Sequence, residues 1–286
     1  MAGADSQSLR IVSLNAFGPG FRLVHEFAVR NGHEHLMVVT LPETSRYGAS
    51  VQPMVTGLPD DMNVLITRKL RAVAAPVIDA LRPDVVISAA FPRLIPAEIL
   101  EIPKYGAINC HPSPLPAGRG PTPQRLIYEG DERVGATVHR TASEFDTGAI
   151  LAQRIAPLPD DLNGTGLMQS WRTLLSACLD EAVPRLIAGD PGEPQDPDKA
   201  TDAPFFTEAE RLLDLTEPAQ VIRRKCAALN VTSPSAQAHL AGATHLITRT
   251  DPATSKNSTA QPGTILEEHP DGWTVQTADH PLRLTR

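Results

Sequence analysis

Apolar runs separated by polar, turn-forming stretches dominate the first two thirds of the chain. Nearly continuous apolar runs are typical of parallel strands that are buried on both faces. Residues 9–16 form such a run, and further strands are predicted over 35–41, 84–90, 106–112, 134–141 and 149–157. Between them, apolar residues at helical spacing predict helices over 21–31, about 64–81, 95–100, 124–130 and about 165–188. This alternation predicts an α/β domain with a mostly parallel, Rossmann-like sheet.

Two stretches break the pattern. Residues 42–63 are polar and rich in turn-forming residues, which predicts a loop. Residues 189–205 are rich in Pro, Asp and Gly, a composition typical of a linker. Beyond the linker, a partly helical stretch is followed by short β-like pieces between turns. We therefore predict an α/β domain over 1–188, a linker over 189–205 and a small barrel-like (OB-like) domain over 206–286.

Composition and charge narrow the class of protein. The 286 residues carry a formal net charge of −7, so the chain as a whole lacks the strongly basic character typical of nucleic-acid-binding proteins. The three cysteines, Cys110, Cys178 and Cys226, are widely spaced, which argues against a disulfide scaffold or a zinc ribbon. The first ten residues contain no apolar signal core, and no run of about 18 apolar residues predicts a membrane span. We expect a soluble, cytoplasmic protein.

The densest group of chemically useful side chains follows a predicted strand. Asn109 and His111 are two residues apart, so they point to the same side of the strand, while Cys110 points into the core. The rigid loop 113–116 comes next. Ligand sites in open α/β sheets lie outside the carboxyl ends of the strands, which favours a binding site here. Alternatively, both side chains only satisfy backbone groups at the start of the loop.

A second candidate is Asp146-Thr147-Gly148, in the predicted turn between two strands. The same tripeptide forms the catalytic turn of aspartic proteases, but those sites need two copies and the sequence contains one. The alternative is a hairpin turn in which the aspartate side chain bonds to its own backbone.

Taken together, residues 107–153 resemble the folate-dependent formyltransferase family. The family pattern is Asn-x-His-x-Ser-x-Leu-Pro, a following Arg-Gly, then Gly-x-Thr and Asp-Thr-Gly. The matching residues are Asn109, His111, Ser113, Leu115, Pro116, Arg119, Gly120, Gly135, Thr137, Asp146, Thr147 and Gly148. A match of so many parts at correct spacing is far more specific than a lone short motif. The tail over 262–286 is similar to the C-terminal barrel domain of the methionyl-tRNA branch of the family.

The resemblance implies transfer of a formyl group from 10-formyltetrahydrofolate to an amine through a tetrahedral oxyanion. It implies that the Asn109 amide and a ring N–H of His111 stabilise the oxyanion, and that Asp146 takes the proton of the amine. The segments expected to bind folate comprise Phe91, Arg93, Ile95, Ser113, Pro114, Leu115, Pro116, Ser143, Glu144 and Phe145. For Arg93, a solvated surface position is the alternative. We expect neither a metal nor NAD, because the other histidines lack metal-ligand spacing and Gly-x-Gly-x-x-Gly is absent.

The charge of two segments bears on which molecule accepts the formyl group. In the methionyl-tRNA branch, the resemblance implies a basic loop after the second strand, but residues 42–63 contain one Arg and no Lys. Residues 206–286 carry eight basic and nine acidic side chains. Because phosphate contacts need Lys or Arg, this favours a small amine or hydroxylamine acceptor over tRNA. Transfer of the formyl group to water and a non-catalytic folate-binding homologue are further alternatives.

Overall fold

The computed structural model describes residues 8–42, 51–253 and 260–286, without the side chains of 51–53. A seven-stranded sheet has the order β3-β2-β1-β4-β5-β6-β7. Its strands are β1 (Arg10–Leu14), β2 (Glu34–Thr40), β3 (Val64–Ile66), β4 (Val85–Ala89), β5 (Ala107–His111), β6 (Arg133–Arg140) and β7 (Ile150–Pro157). Strands β1 to β5 pair in parallel, and β6 runs antiparallel to β5. The carboxyl ends of β1, β4 and β5 therefore lie at one edge of the sheet.

Helices cover both faces of this sheet, which explains why its central strands β1, β4 and β5 are almost wholly buried. The α-helices of the described residues are α1 (Gly18–Arg30), α2 (Val51–Thr56), α3 (Ala75–Leu81), α4 (Ala97–Leu100), α5 (Arg125–Glu129), α6 (Gly164–Ile187) and α7 (Ala219–Leu229). Ile11 of β1 belongs to the core cluster that includes α1 and the C-terminal half of α6. Its neighbour Val12 belongs to the cluster formed with α3 and α4. Adjacent residues of a strand point to opposite faces, so the two clusters flank the sheet.

Two sequence predictions fail in part in the region after β2. Residues 43–50 of the predicted loop lie outside the described residues, but α2 forms where a loop was expected. Met54 of α2 is buried against Phe21 and Val38, which gives this short helix an apolar anchor. The predicted helix over 64–81 is correct over 70–81, which is helical, but Val64–Ile66 forms β3 by pairing with β2. Sheet pairing outweighs helical spacing in so short a segment.

The chain forms two compact units. The first comprises described residues within 1–120, 135–155 and 172–201, and the second comprises those within 121–134, 156–171 and 202–286. The second unit contains a four-stranded antiparallel sheet and a two-stranded one. Their strands are β8 (Gln237–Leu240), β9 (Ala243–Leu246), β10 (Arg249–Pro252), β11 (Ile265–His269), β12 (Gly272–Gln276) and β13 (Pro281–Thr285). The predicted fold class, a mostly parallel α/β sheet plus a small C-terminal β domain, is confirmed.

Candidate active site

Strand β5 ends at the predicted site. His111 is buried and Asn109 half-buried, and both lie on the side of the strand opposite Cys110. Cys110 is buried in the core between the sheet and α1, and burial raises its thiol pKa well above the ordinary value. The prediction that Cys110 packs in the core is therefore confirmed. The thiol is far from the ionised form that a nucleophile requires.

The Asn109 amide is fixed in orientation by hydrogen bonds at both ends. Ser88 Oγ of β4 donates to Asn109 Oδ1 over 2.7 Å. On the other side, Asn109 Nδ2 donates to Asp146 Oδ1 at 3.2 Å and to His139 Nε2 at 3.1 Å. The second bond is possible because His139 Nδ1–H donates to the backbone carbonyl of Arg140 at 2.8 Å, leaving Nε2 as an acceptor.

His111 is held between a carbonyl and a carboxylate. Its Nε2 lies 2.8 Å from the carbonyl oxygen of Gly118, an acceptor, so this nitrogen carries a proton. The other nitrogen, Nδ1, faces Asp146 Oδ1 at 3.5 Å. Burial lowers the pKa of His111 and outweighs the opposing effect of the Asp146 carboxylate. At neutral pH the ring is therefore uncharged, with an unprotonated Nδ1 directed at the carboxylate.

Asp146 lies in the turn after β6 with a φ of 57°, a left-handed conformation that is unusual for a residue other than glycine. Its Oδ2 accepts a hydrogen bond of 2.9 Å from the backbone N–H of Gly120. Burial alone would raise its pKa. At the acidic pH where Asp146 itself titrates, the charge of a protonated His111, the neighbouring His139 ring and the Gly120 N–H outweigh burial and lower the pKa to about 2. Asp146 is thus an ionised carboxylate, 8% exposed, that accepts hydrogen bonds from the Asn109 amide and the Gly120 N–H and lies beside the rings of His111 and His139.

The glycines of the motif allow close approach of neighbouring segments. A Cβ on Gly148 would stand 1.7 Å from the carbonyl oxygen of Arg140, so the Asp146 turn could not close against β6. A Cβ on Gly135 would stand 2.4 Å from Cδ of Pro114, which packs on β6 at this point. Contacts shorter than about 3 Å force one of the two segments to move. Both positions therefore set where the loops of the site lie.

The residues expected to bind folate fall into three loops. Ser113, Pro114, Leu115 and Pro116 follow β5, and Ser113 and Leu115 are buried. Several backbone groups of this loop already have partners within the protein. Thr137 Oγ1 donates to the Ser113 carbonyl and accepts from the Leu115 N–H, and Gln153 Nε2 donates to the Leu115 carbonyl.

The other two loops are more open. Phe91 and Arg93 follow β4, and Arg93 is exposed. Ile95 in the same loop is buried in the core instead, next to Ile99. Ser143, Glu144 and Phe145 precede Asp146 and are exposed, with half of the Phe145 surface accessible.

Sequence reasoning missed several residues that complete the site. Ser88 and His139 lie on predicted strands, where nothing in the sequence indicated that either side chain reaches the site. Gln195 and Thr201 lie in the predicted linker and hydrogen-bond to the loops of the site. Their partners are distant in sequence, so periodicity carries no signal for them. Among residues 8–42, 51–253 and 260–286, no three His, Cys, Asp or Glu side chains are placed to hold a metal ion. Within those same ranges, no helix combines the length and apolar character needed to cross a membrane.

Known proteins resemble this chain in both sequence and fold. The formyl transferase family model matches residues 61–183, and the model of the formyl transferase C-terminal domain matches 206–286. The methionyl-tRNA formyltransferase of Bacillus licheniformis is 33% identical over 269 residues, which cover 90% of this chain and 83% of that protein.

Two solved structures share the fold. HypX from Aquifex aeolicus, in complex with tetrahydrofolic acid, has a TM-score of 0.73 at 20% identity; the match covers 97% of this chain but 44% of HypX. WlaRD, a sugar 3N-formyl transferase solved in the presence of dTDP and 5-N-formyl-THF, has a TM-score of 0.66 at 14% identity and covers 98% of both chains. On the sequence match along most of its length, the chain belongs to the formyltransferase family, the enzymes that transfer a formyl group.

Proposed function

We propose that this protein transfers the formyl group of 10-formyltetrahydrofolate to an amine or hydroxylamine of a small-molecule acceptor. The observation that carries the proposal is the Asn109–His111–Asp146 cluster at the carboxyl end of a mostly parallel sheet. It combines a fixed amide donor, a neutral imidazole and an ionised carboxylate within hydrogen-bonding reach of one another. Acyl transfer to an amine requires a proton acceptor and oxyanion donors of this kind.

Each side chain has a chemical role in this proposal. The acceptor nitrogen forms a bond to the formyl carbon, and Asp146 accepts the proton that this nitrogen loses. Asn109 Nδ2 exchanges its bond to Asp146 for one to the developing oxyanion. The unprotonated Nδ1 of His111 faces the carboxylate at 3.5 Å, so it receives the proton from Asp146. His111 then donates this proton to N10 of tetrahydrofolate as the oxyanion collapses and the bond between N10 and the formyl carbon breaks.

For the donor, we propose that pterin recognition uses mainly the open loops around Phe91 and Phe145. Backbone carbonyls of the loop 113–116 already accept hydrogen bonds from Thr137 and Gln153. We therefore expect this loop to supply a rigid apolar wall rather than hydrogen-bonding groups for the pterin. Exposed Arg93 suits the carboxylates of the folate tail. Ile95, which is buried, contributes at most its backbone.

The small acceptor is supported by the charge of the chain. Residues 42–63 contain one Arg and no Lys, and 206–286 have a small excess of acidic groups. A tRNA acceptor is the second candidate, and it is favoured by the methionyl-tRNA formyltransferase relatives. Transfer to water would use the same oxyanion site and is a weaker alternative.

For the organisation of the chain, we propose a formyltransferase domain over 1–188, a linker over 189–205 and a small C-terminal domain over 206–286, acting in the cytoplasm. The proposed role of the C-terminal domain is interaction or shaping of the acceptor site.

The test measures tetrahydrofolate release from 10-formyltetrahydrofolate with charged initiator tRNA and with a panel of small amines and hydroxylamines, run in parallel. Release that requires a small amine supports the proposal. Rapid turnover on the tRNA makes the protein a methionyl-tRNA formyltransferase despite its few basic residues. Release at the same rate without any acceptor makes it a hydrolase.

A further inference from the structure

The segment 193–201, within the predicted linker, touches both loops that carry the site. It first pairs with β7, where the backbones of Ile150 and Glu193 exchange two hydrogen bonds of 2.8 Å. Gln195 follows, half-buried between the exposed residues Pro194 and Asp196. A residue that turns inward from an otherwise exposed segment indicates a specific contact.

The Gln195 side chain links the two loops through both ends of its amide. Its Nε2 donates to the carbonyl of Asp146 at 2.7 Å and to that of Gly148 at 2.8 Å. Its Oε1 accepts from Arg119, at 2.7 Å from Nη2 and 3.2 Å from Nε. One side chain thus joins the turn that holds the carboxylate to the loop that ends at Gly120.

Thr201 attaches the same segment to the loop at a second point. Its Oγ1 accepts from the Gly118 N–H at 2.9 Å, and its carbonyl accepts from the Arg119 N–H at 2.9 Å. These contacts matter for the site because the Gly118 carbonyl is the acceptor for His111 Nε2. Two residues further along the same loop, the N–H of Gly120 donates to the Asp146 carboxylate.

We propose that Gln195 is a positioning residue for formyl transfer, holding the Asp146 turn in register with the 116–120 loop. This inference rests on the proposed function of Asp146. The backbone of Asp146 is left-handed, a conformation that costs an ordinary residue free energy and persists only with support from its surroundings. The two bonds from Gln195 Nε2 supply that support on either side of Thr147.

The proposal distinguishes the amide from a carboxylate of the same shape. Gln195→Glu keeps the size of the side chain and an acceptor for Arg119, but it places an oxygen against two carbonyl oxygens. Gln195→Ala removes all four bonds. We expect both variants to lower kcat roughly 10- to 100-fold, since small misplacements of reacting groups have effects of this size. The KM for 10-formyltetrahydrofolate should change by less than about 3-fold, because the Gln195 side chain bonds to Asp146, Gly148 and Arg119 and not to the residues proposed to bind folate.

A matched control comes from the same segment. Lys199 is exposed, and its side chain pairs with exposed Asp196 at 3.2 Å. Lys199→Ala should leave kcat and KM unchanged. All assays are run where circular dichroism shows each variant to be folded.

Hydrogen exchange tests the positioning independently of turnover. In both Gln195 variants the Gly120 amide should exchange at least about 10-fold faster, because its acceptor on Asp146 moves, while amides of β1 keep their protection. Unchanged Gly120 exchange, or a kcat within about 3-fold of wild type, overturns the inference. Equal loss of kcat and of tetrahydrofolate binding also overturns it. Absence of turnover in the wild-type enzyme with every acceptor would instead contradict the proposed function, and the exchange result would still decide the positioning.

Discussion

Two carboxylates in this protein, Asp146 and Glu210, have pKa values lowered to about 2, but their surroundings differ. For Glu210, in the second unit, the main cause is Arg125, whose guanidinium binds it at 2.7 Å. Asp146 has no guanidinium or ammonium partner among the described side chains. Its partners are an amide, a backbone N–H and two imidazoles.

The difference separates a structural charge from a reactive one. Arginine stays protonated at every working pH, so the charge of Glu210 is permanently compensated. Imidazoles and amides stabilise a carboxylate while leaving it able to exchange protons with its neighbours. A buried carboxylate stabilised only by such groups is therefore the better candidate for chemistry, and a lowered pKa by itself does not identify a site.

Replacing Asp146 and Glu210 in turn should give the largest difference between a reactive and a structural carboxylate. Asp146→Asn should lower kcat by about 10²- to 10⁴-fold, the usual size of general acid–base catalysis, with tetrahydrofolate binding changed only a few-fold. Steady-state assays and calorimetric titration measure the two quantities. Glu210→Gln, assayed alongside, should keep wild-type kcat. Normal turnover in Asp146→Asn would remove this carboxylate from the mechanism.

The Asn109 amide should have the next largest effect. Asn109→Ala removes the proposed oxyanion donor and should lower kcat by about 10²- to 10³-fold. Ser88→Ala leaves the amide in place but frees its orientation, so its effect should stay below about 10-fold. If the serine variant were as inactive as the asparagine variant, the orientation of the amide would account for the whole effect.

Glu210→Gln should instead affect stability. Loss of a hydrogen bond to a charged group predicts about 1–3 kcal/mol lower free energy of unfolding at pH 7, measured by urea denaturation. The pKa of Glu210 is lower in the folded than in the unfolded state, so its stabilisation is complete above the ordinary value of 4.5 and is lost as pH falls toward 2. The difference between wild type and variant should therefore shrink between pH 5 and pH 2. A difference that stays constant over this range would exclude an ionic contribution.

The smallest effect concerns the cysteines. All three are buried, and burial raises the thiol pKa of Cys178 and of Cys226 to about 12. An aromatic disulfide reagent should label no cysteine in the native protein at pH 8, and Cys110→Ser should keep kcat within a few-fold. Rapid labelling of Cys110 before Cys226 would show that the unit with the site opens more readily than the C-terminal one.

The sequence pattern within single strands and motifs was sufficient to predict some features of the site. Strand alternation predicted that Asn109 and His111 share a side and that Cys110 faces the core, because these relations lie within one strand. The family motif pointed to Asp146. The roles proposed for these side chains stay predictions.

Other parts depend on contacts between distant residues. The pairing of Gln195 with the Asp146 turn spans 49 residues of sequence and leaves no trace in a segment rich in Pro and Asp. His139 lies on a predicted strand, where spacing alone does not indicate a role in the site. Val64–Ile66 became a strand because β2 offered a free edge, which is a property of the assembled sheet.

The most direct test is the titration of the Asp146 carboxyl group in the folded protein, monitored by carbon-13 NMR. The Asp146→Asn variant identifies which carboxyl signal belongs to Asp146. We predict that Asp146 stays ionised from pH 8 down to pH 4, so its carboxyl signal does not shift near neutral pH. A midpoint above pH 8 would mean that Asp146 is protonated in the resting enzyme at neutral pH. It would then be a proton donor, and the proposed direction of proton transfer would be wrong.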